Sequence, residues 1–126
     1  LYFALQTLRK EFVARHGSSC ELFADEHDLT LDDQRSTAIF RIIQESLANV
    51  FRHAAARKVT IKFERNNGKL EIIIDDDGRG IRSEDMGKDK SFGLVDMRER
   101  VRAMHGDMAI SSEAYRGTRI NIAIPL

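Results

Sequence analysis

At 126 residues, 42% hydrophobic and 32% charged, the chain has the size and composition of one globular domain with a real core. Twenty basic and twenty acidic residues cancel, which excludes the basic excess of a general nucleic-acid or membrane-surface binder, so any anion site must be local. Cys20 is the only cysteine, which excludes an internal disulfide and a cysteine-based zinc cluster and suits a reducing cytoplasm; no apolar run approaches the ~18 residues that span a bilayer. The chain starts without Met inside an amphipathic pattern and is expected to be a piece of a longer protein.

In chain order, Leu1, Ala4, Leu5, Leu8, Phe12 and Val13 recur at helical spacing, with Gln6, Arg9, Lys10 and Arg15 opposite. The pattern predicts a helix over 1–16 that Gly17 ends. CELFA at 20–24 alternates like a short strand, and Thr30, Asp32 and Asp33 are N-cap candidates for the next helix. Residues 34–55 form the longest helical pattern, with Ile39, Phe40, Ile43, Leu47, Val50 and Phe51 gathered on a core side. Glu45, Asn49, Arg52 and His53 fall at i, i+4, i+7 and i+8, a polar stripe facing away from that side. A carboxylate, a carboxamide and a cation suit Mg²⁺ bound to phosphates. The carboxamide oxygen is a hard ligand, Arg52 can neutralise phosphate charge, and Glu45 can accept a proton from a nucleophile. An ordinary solvated face is the plainer alternative.

RKVTIKFE at 57–64 alternates as a strand, and Asn66-Asn67-Gly68 turns the chain into 70–81, LEIIIDDDGRGI. There Leu70, Ile72, Ile73 and Ile74 read as a buried strand that stops at Asp75, Asp76 and Asp77. Such an end delivers a carboxylate to the edge of a sheet, followed by backbone without Cβ atoms, as a planar polar heterocycle against main chain requires. A bare hairpin turn is the alternative. Residues 82–92 are polar enough for a functional loop or lid. Leu94, Met97, Val101 and Met104 then predict a helix over 94–105 closed by Gly106. Gly93 falls at its start, where free N–H groups make a phosphate cradle or a plain hinge. Residues 107–112 and 118–125 alternate as two more strands, joined by a turn whose Gly117-Thr118 can face the same site.

Glu45-x-x-x-Asn49 on a helix, Asp76-x-Gly78-x-Gly80 after a strand, Ser91-Phe92-Gly93-Leu94 opening a helix and Gly117-Thr118 before a last strand occur in that order. Together they resemble the catalytic ATP-binding domain of two-component sensor histidine kinases, within the GHKL superfamily. The subclass that drives LuxR-type response regulators is the nearest likeness: FRIIQESLANVFRHA looks like its N box, DDGRGI its G1 box and FGLVDMRERV its G2 box. The likeness implies an α+β two-layer sandwich, the Bergerat fold, with a mixed sheet of about five strands packed against three helices. It implies one domain over 1–126, with a lead-in helix at 1–17 and an ATP lid at 79–93.

By the same likeness Asp76 accepts from the adenine amino group, Gly78 and Gly80 begin the lid, and Ile81 is a nucleotide-binding position. Asn49 holds Mg²⁺, Arg52 and His53 lie beside the phosphates, and Glu45 is the catalytic residue that assists proton removal from the acceptor histidine. Gly93, Leu94 and Thr118 match the remaining nucleotide-contacting positions. The implied chemistry is γ-phosphoryl transfer from Mg-ATP to a histidine nitrogen, which needs positioning and charge neutralisation more than covalent help. Ser91, Asp96 and Tyr115 depart from glycines usual in the family's boxes and bear on the lid's fine geometry. His16, His27, His53 and His105 all lack the setting of the phosphoacceptor, so the chain is expected to bind ATP without phosphorylating itself. The implied partners are a dimerisation domain carrying the acceptor histidine and, downstream, a LuxR-type response regulator, with no nucleic acid and no direct membrane contact. The fragment would be monomeric and cytoplasmic, the parent a homodimer with or without a membrane anchor. The rival readings are a degenerate nucleotide-binding regulatory module and a GHKL-type ATPase or serine kinase; the MRERV segment speaks against the second, and Glu45, Asn49 and Asp76 against the first.

Overall fold

The computed structural model describes residues 1–54, 56–78, 93–113 and 116–126, except the side chains of residues 53, 54 and 113. Asn67 and Gly68 both have positive φ, 53° and 75°, as the two central residues of a type I′ turn require. That turn joins β2 (Lys58–Asn66) to β3 (Lys69–Asp76) and sets their antiparallel register, Asn66 opposite Lys69 and Val59 opposite Asp76. β3 pairs on its other side with β5 (Gly117–Pro125), which pairs with β4 (Asp107–Glu113), both antiparallel. β1 (Ser19–Phe23) runs parallel to β2, so the sheet order is β1-β2-β3-β5-β4.

Alternation gives the sheet one apolar face. Val59, Ile61 and Phe63, Leu70, Ile72 and Ile74, and Ile120, Ile122 and Ile124 are all buried, each worth roughly 1.5–3 kcal/mol of transfer free energy. The helices cover this face: α1 (Tyr2–His16), α2 (Asp33–Asn49) and α3 (Leu94–Ala103) contribute Leu5 and Phe12, Ile39, Ile42, Ile43 and Leu47, and Leu94, Met97 and Val101 to the same core. The opposite face carries charge, including the Asp75–Arg119 pair, with Arg119 Nε and Nη2 donating at 3.0 and 2.7 Å. Three helices on a five-stranded mixed sheet, among the described residues, form the expected α+β two-layer sandwich.

Two local expectations are corrected. The helical pattern at 34–55 is not one α-helix: α2 ends at Asn49 and the chain continues as a π-helical turn over Val50–Ala54. The wider turn rotates later residues out of α-helical phase. Val50 stays buried while Phe51 is 58% exposed, stacked on the His16 ring at 3.8 Å instead of lying in the core. At the end of α3 the left-handed residue is His105 (φ 61°), not Gly106; a Cβ at Gly106 would press on the Ala123 carbonyl oxygen of β5. That glycine permits close packing and does not supply the reversal.

Candidate functional site

The direction of α2 decides which functional groups meet. Near its start, Arg35 Nη2 donates to the Pro125 carbonyl at 3.4 Å, and Pro125 lies opposite Lys69 in the sheet. α2 therefore begins at the Lys69–Pro125 end. Seventeen helical residues at ~1.5 Å and eight strand residues at ~3.3 Å both cover about 25 Å, so Asn49 comes out at the Asp76–Thr118 end. The chain leaving the π turn confirms this. The Arg57 and Lys58 N–H groups both donate to Asp77 Oδ1 at 2.9 Å.

The three aspartates that end β3 divide. Asp75 faces the open side of the sheet and pairs with Arg119. Asp77 fastens the start of β2, its own N–H donating to the Lys58 carbonyl at 3.2 Å. Asp76 shares the parity of Leu70, Ile72 and Ile74, so it points to the helix-covered face, where it is half-buried. Its Oδ1 accepts from the Gly78 N–H at 2.9 Å. Burial pushes the Asp76 carboxyl above the usual carboxylate range, while hydrogen bonds from the Gly78 and Thr118 main chain pull it down less strongly. It is a carboxylate held partly out of water with acceptor capacity to spare.

Thr118 is opposite Asp76 in the β3–β5 register and buried, its Oγ1 3.3 Å from Ser112 Oγ. Gly117 (φ 100°) lies against the end of β3, where a Cβ would run into the Asp76 carbonyl oxygen. From the helix layer comes Asn49, only 9% exposed. The stripe expected to face away from the core is thus graded, with Asn49 buried, Glu45 partly covered and Arg52 exposed. Arg52 Nη2 lies 3.7 Å from Glu45 Oε1. α3 runs antiparallel to α2: its Gly93 start lies beside Glu45 and its Met97 Sδ 3.6 Å from Ser46 Oγ, while Arg100 and Met104 line one cleft with Gln34 and Ala38 near the start of α2.

Glu45, Asn49, Arg52, Asp76, Gly78, Gly93 and Thr118 therefore gather at one end of the sandwich. The Leu94 side chain is buried in the core, at the first residue of α3. Gly80, Ile81, Ser91, Tyr115 and most of the 79–93 segment lie outside the described residues, as does the His53 side chain. Asp77 and Ser112 belong to this end without having been singled out from the sequence; Asp77 falls inside the DDGRGI motif with no role assigned to it, and Ser112 in no motif. Gly117 is legible as a turn glycine, not as one that a main-chain contact requires. Among the described residues no three His, Cys, Asp or Glu side chains group to hold a metal. A cation here would take one hard oxygen from Asn49 and the rest from phosphate and water, the habit of Mg²⁺. The residues fit that ion.

An acidic strand end and a polar helix end facing each other across a two-layer sandwich define the ATP-binding domain type found in histidine kinases. Residues 34–126 match the family described as Histidine kinase-, DNA gyrase B-, and HSP90-like ATPase, and the chain belongs to it. It is 34% identical, over 97% of its length, to the signal transduction histidine-protein kinase/phosphatase DegS of Bacillus subtilis, of which it covers 34%. To the protein of the same name from Brevibacillus brevis it is 40% identical over 89 residues, 71% of this chain and 23% of that one. The chain thus spans about a quarter to a third of these relatives. Among solved structures, the histidine kinase domain of the Erythrobacter litoralis EL346 blue-light activated histidine kinase superposes with a TM-score of 0.78. It shares 25% identity, over 96% of this chain and 57% of that one. No helix of the described residues is long and apolar enough to cross a membrane.

Proposed function

We propose that this chain binds Mg-ATP and donates the γ-phosphoryl group to a histidine on a separate dimerisation domain of a sensor histidine kinase in two-component signalling. The observation that carries the reading is the meeting of Asp76, Thr118, Asn49 and the start of α3 at one end of the sandwich. Asp76 accepts from the adenine amino group, Gly78 and Gly80 begin a lid over 79–93, and Ile81 is a nucleotide contact. Asn49 supplies the protein oxygen to Mg²⁺, which neutralises phosphate charge when bound. Arg52 and His53 stand beside the phosphates, the Gly93 and Leu94 main chain and Thr118 complete the nucleotide contacts, and Glu45 takes a proton from the acceptor imidazole. The α1 segment is the domain's lead-in helix, and residues 1–126 act as one catalytic unit. The acceptor lies on the parent's own dimerisation domain and the next carrier is a response regulator of LuxR type. The site works in the cytoplasm, the fragment as a monomer and the parent as a homodimer.

The test is thermal melting with nucleotide, followed by transfer of labelled phosphate to an acceptor-histidine helix supplied in trans. Mg-ATP is expected to raise the melting temperature more than ATP with chelator. Asn49→Ala should narrow that difference and weaken Mg-ATP by about tenfold, the scale of losing a partner around a metal. A melting temperature indifferent to ATP would end the proposal.

A further inference from the structure

We infer that Gly93 is a positioning residue for Glu45: the missing side chain at the start of α3 leaves the space that the Glu45 carboxylate fills, and so sets where that carboxylate stands during phosphoryl transfer. The inference rests on the site reading proposed above. A Cβ built on Gly93 would lie 2.5 Å from Glu45 Oε1 and 2.8 Å from its Cδ and Cγ, closer than carbon approaches such atoms. Gly17 and Gly68 have the same left-handed backbone, φ 70° and 75°, yet a Cβ on either would meet nothing within 4 Å. Those two glycines satisfy a backbone turn alone. Gly93 also makes room for a neighbour.

The Glu45 side chain is held from two directions. Arg52, reached through the π turn, approaches Oε1 to 3.7 Å, and bare Gly93 backbone lies against the same carboxylate. The spacing of α2 and α3 is fixed beside it, because the Ser46 hydroxyl, which donates to the Ile42 carbonyl at 2.8 Å, lies 3.6 Å from Met97 Sδ. α2 and α3 are packed through that buried contact and do not part easily to admit a methyl group. What yields is the flexible end of Glu45. A methyl at 93 therefore moves a carboxylate more than it disturbs the fold, and a group that takes a proton must stand within hydrogen-bond reach of it.

The experiment is a double-mutant cycle of Gly93→Ala and Glu45→Ala in this chain. It is read as kcat for transfer from Mg-ATP to the acceptor-histidine helix in trans, with ATP affinity measured by calorimetry. The strain of alanine in a left-handed backbone is common to both backgrounds and cancels. Glu45→Ala should lower kcat about a hundredfold, the lower range for removing a proton-transfer group. Gly93→Ala should lower kcat about tenfold, and should add less than about twofold once Glu45 is alanine, as residues acting as a unit are not additive. Equal kcat losses in both backgrounds would overturn the inference and leave Gly93 a backbone role. Failure of the wild-type chain to bind Mg-ATP would overturn the site reading itself, and is recognised before any variant is made.

Discussion

Asp75, Asp76 and Asp77 have the same chemistry and adjacent positions, yet the two-residue period of a strand and its end send them to three tasks. Only Asp76 is carried toward the helices, and there its charge is a liability to the unliganded fold. Because burial raises its pKa, the native state keeps this proton to higher pH than the unfolded chain does. The stability linked to the group is therefore fullest in acid, below the unfolded value, and is lost as pH rises through the raised native value. Asp76→Asn removes that loss. The unliganded variant should melt at or above wild type at neutral pH, with the gap closing toward acid. Its response to ATP should disappear, since a carboxamide can turn a donor toward the adenine amino group. Melting below wild type at neutral pH would mean that the charge supports the fold.

Between elements, the join of β5 to β3 depends on Gly117. Its φ of 100° is strained for other residues, and a Cβ there would strike the Asp76 carbonyl, main chain that has no room to retreat. Gly117→Ala should destabilise the domain by roughly 2–4 kcal/mol, seen in urea as a lower midpoint with unchanged slope; a loss of only a few tenths would mean that β5 shifts freely. Most elements could be read from the chain because their signals are local: alternation in β2 to β5, Asn67-Gly68 at the hairpin, a three- and four-residue repeat in α3. The π turn could not, since Val50 and Phe51 continue an apolar α-helical phase and only packing reveals the extra width. Nor could the reversal after α3, where histidine takes the strained conformation and glycine the tight contact. In the site, the motif residues were legible as types at a spacing. The clamp by Asp77, the burial of Asn49 and the contact between Gly93 and Glu45 depend on which surfaces face each other, and periodicity does not encode that.

Across the whole molecule, attachment is uneven. β3 and β5 are flanked by strands on both sides, whereas β1 has one neighbour, in parallel, over five residues. Further ties at and beside it include Ser18 Oγ to the Ala56 carbonyl at 2.9 Å, the Ser19 N–H and Oγ to the Arg57 carbonyl at 2.9 and 3.4 Å, Arg9 Nη1 to the Cys20 carbonyl at 3.4 Å, and an exposed Glu21–Lys58 pair at 3.1 Å. Such surface pairs add about 0–1 kcal/mol. Amide exchange at Cys20 and Leu22 should accordingly be faster than at Ile72 and Ile122; matching protection would mean that β1 opens only with the whole domain. The stack of His16 on Phe51 gives this unevenness a direction. His16 ends a fifteen-residue helix, about 22 Å of stiff rod, and Phe51 sits two positions past Asn49 and next to Arg52. Torque applied at the far end of that rod would therefore be felt first at the Phe51 ring, where α2 gives way to the π turn.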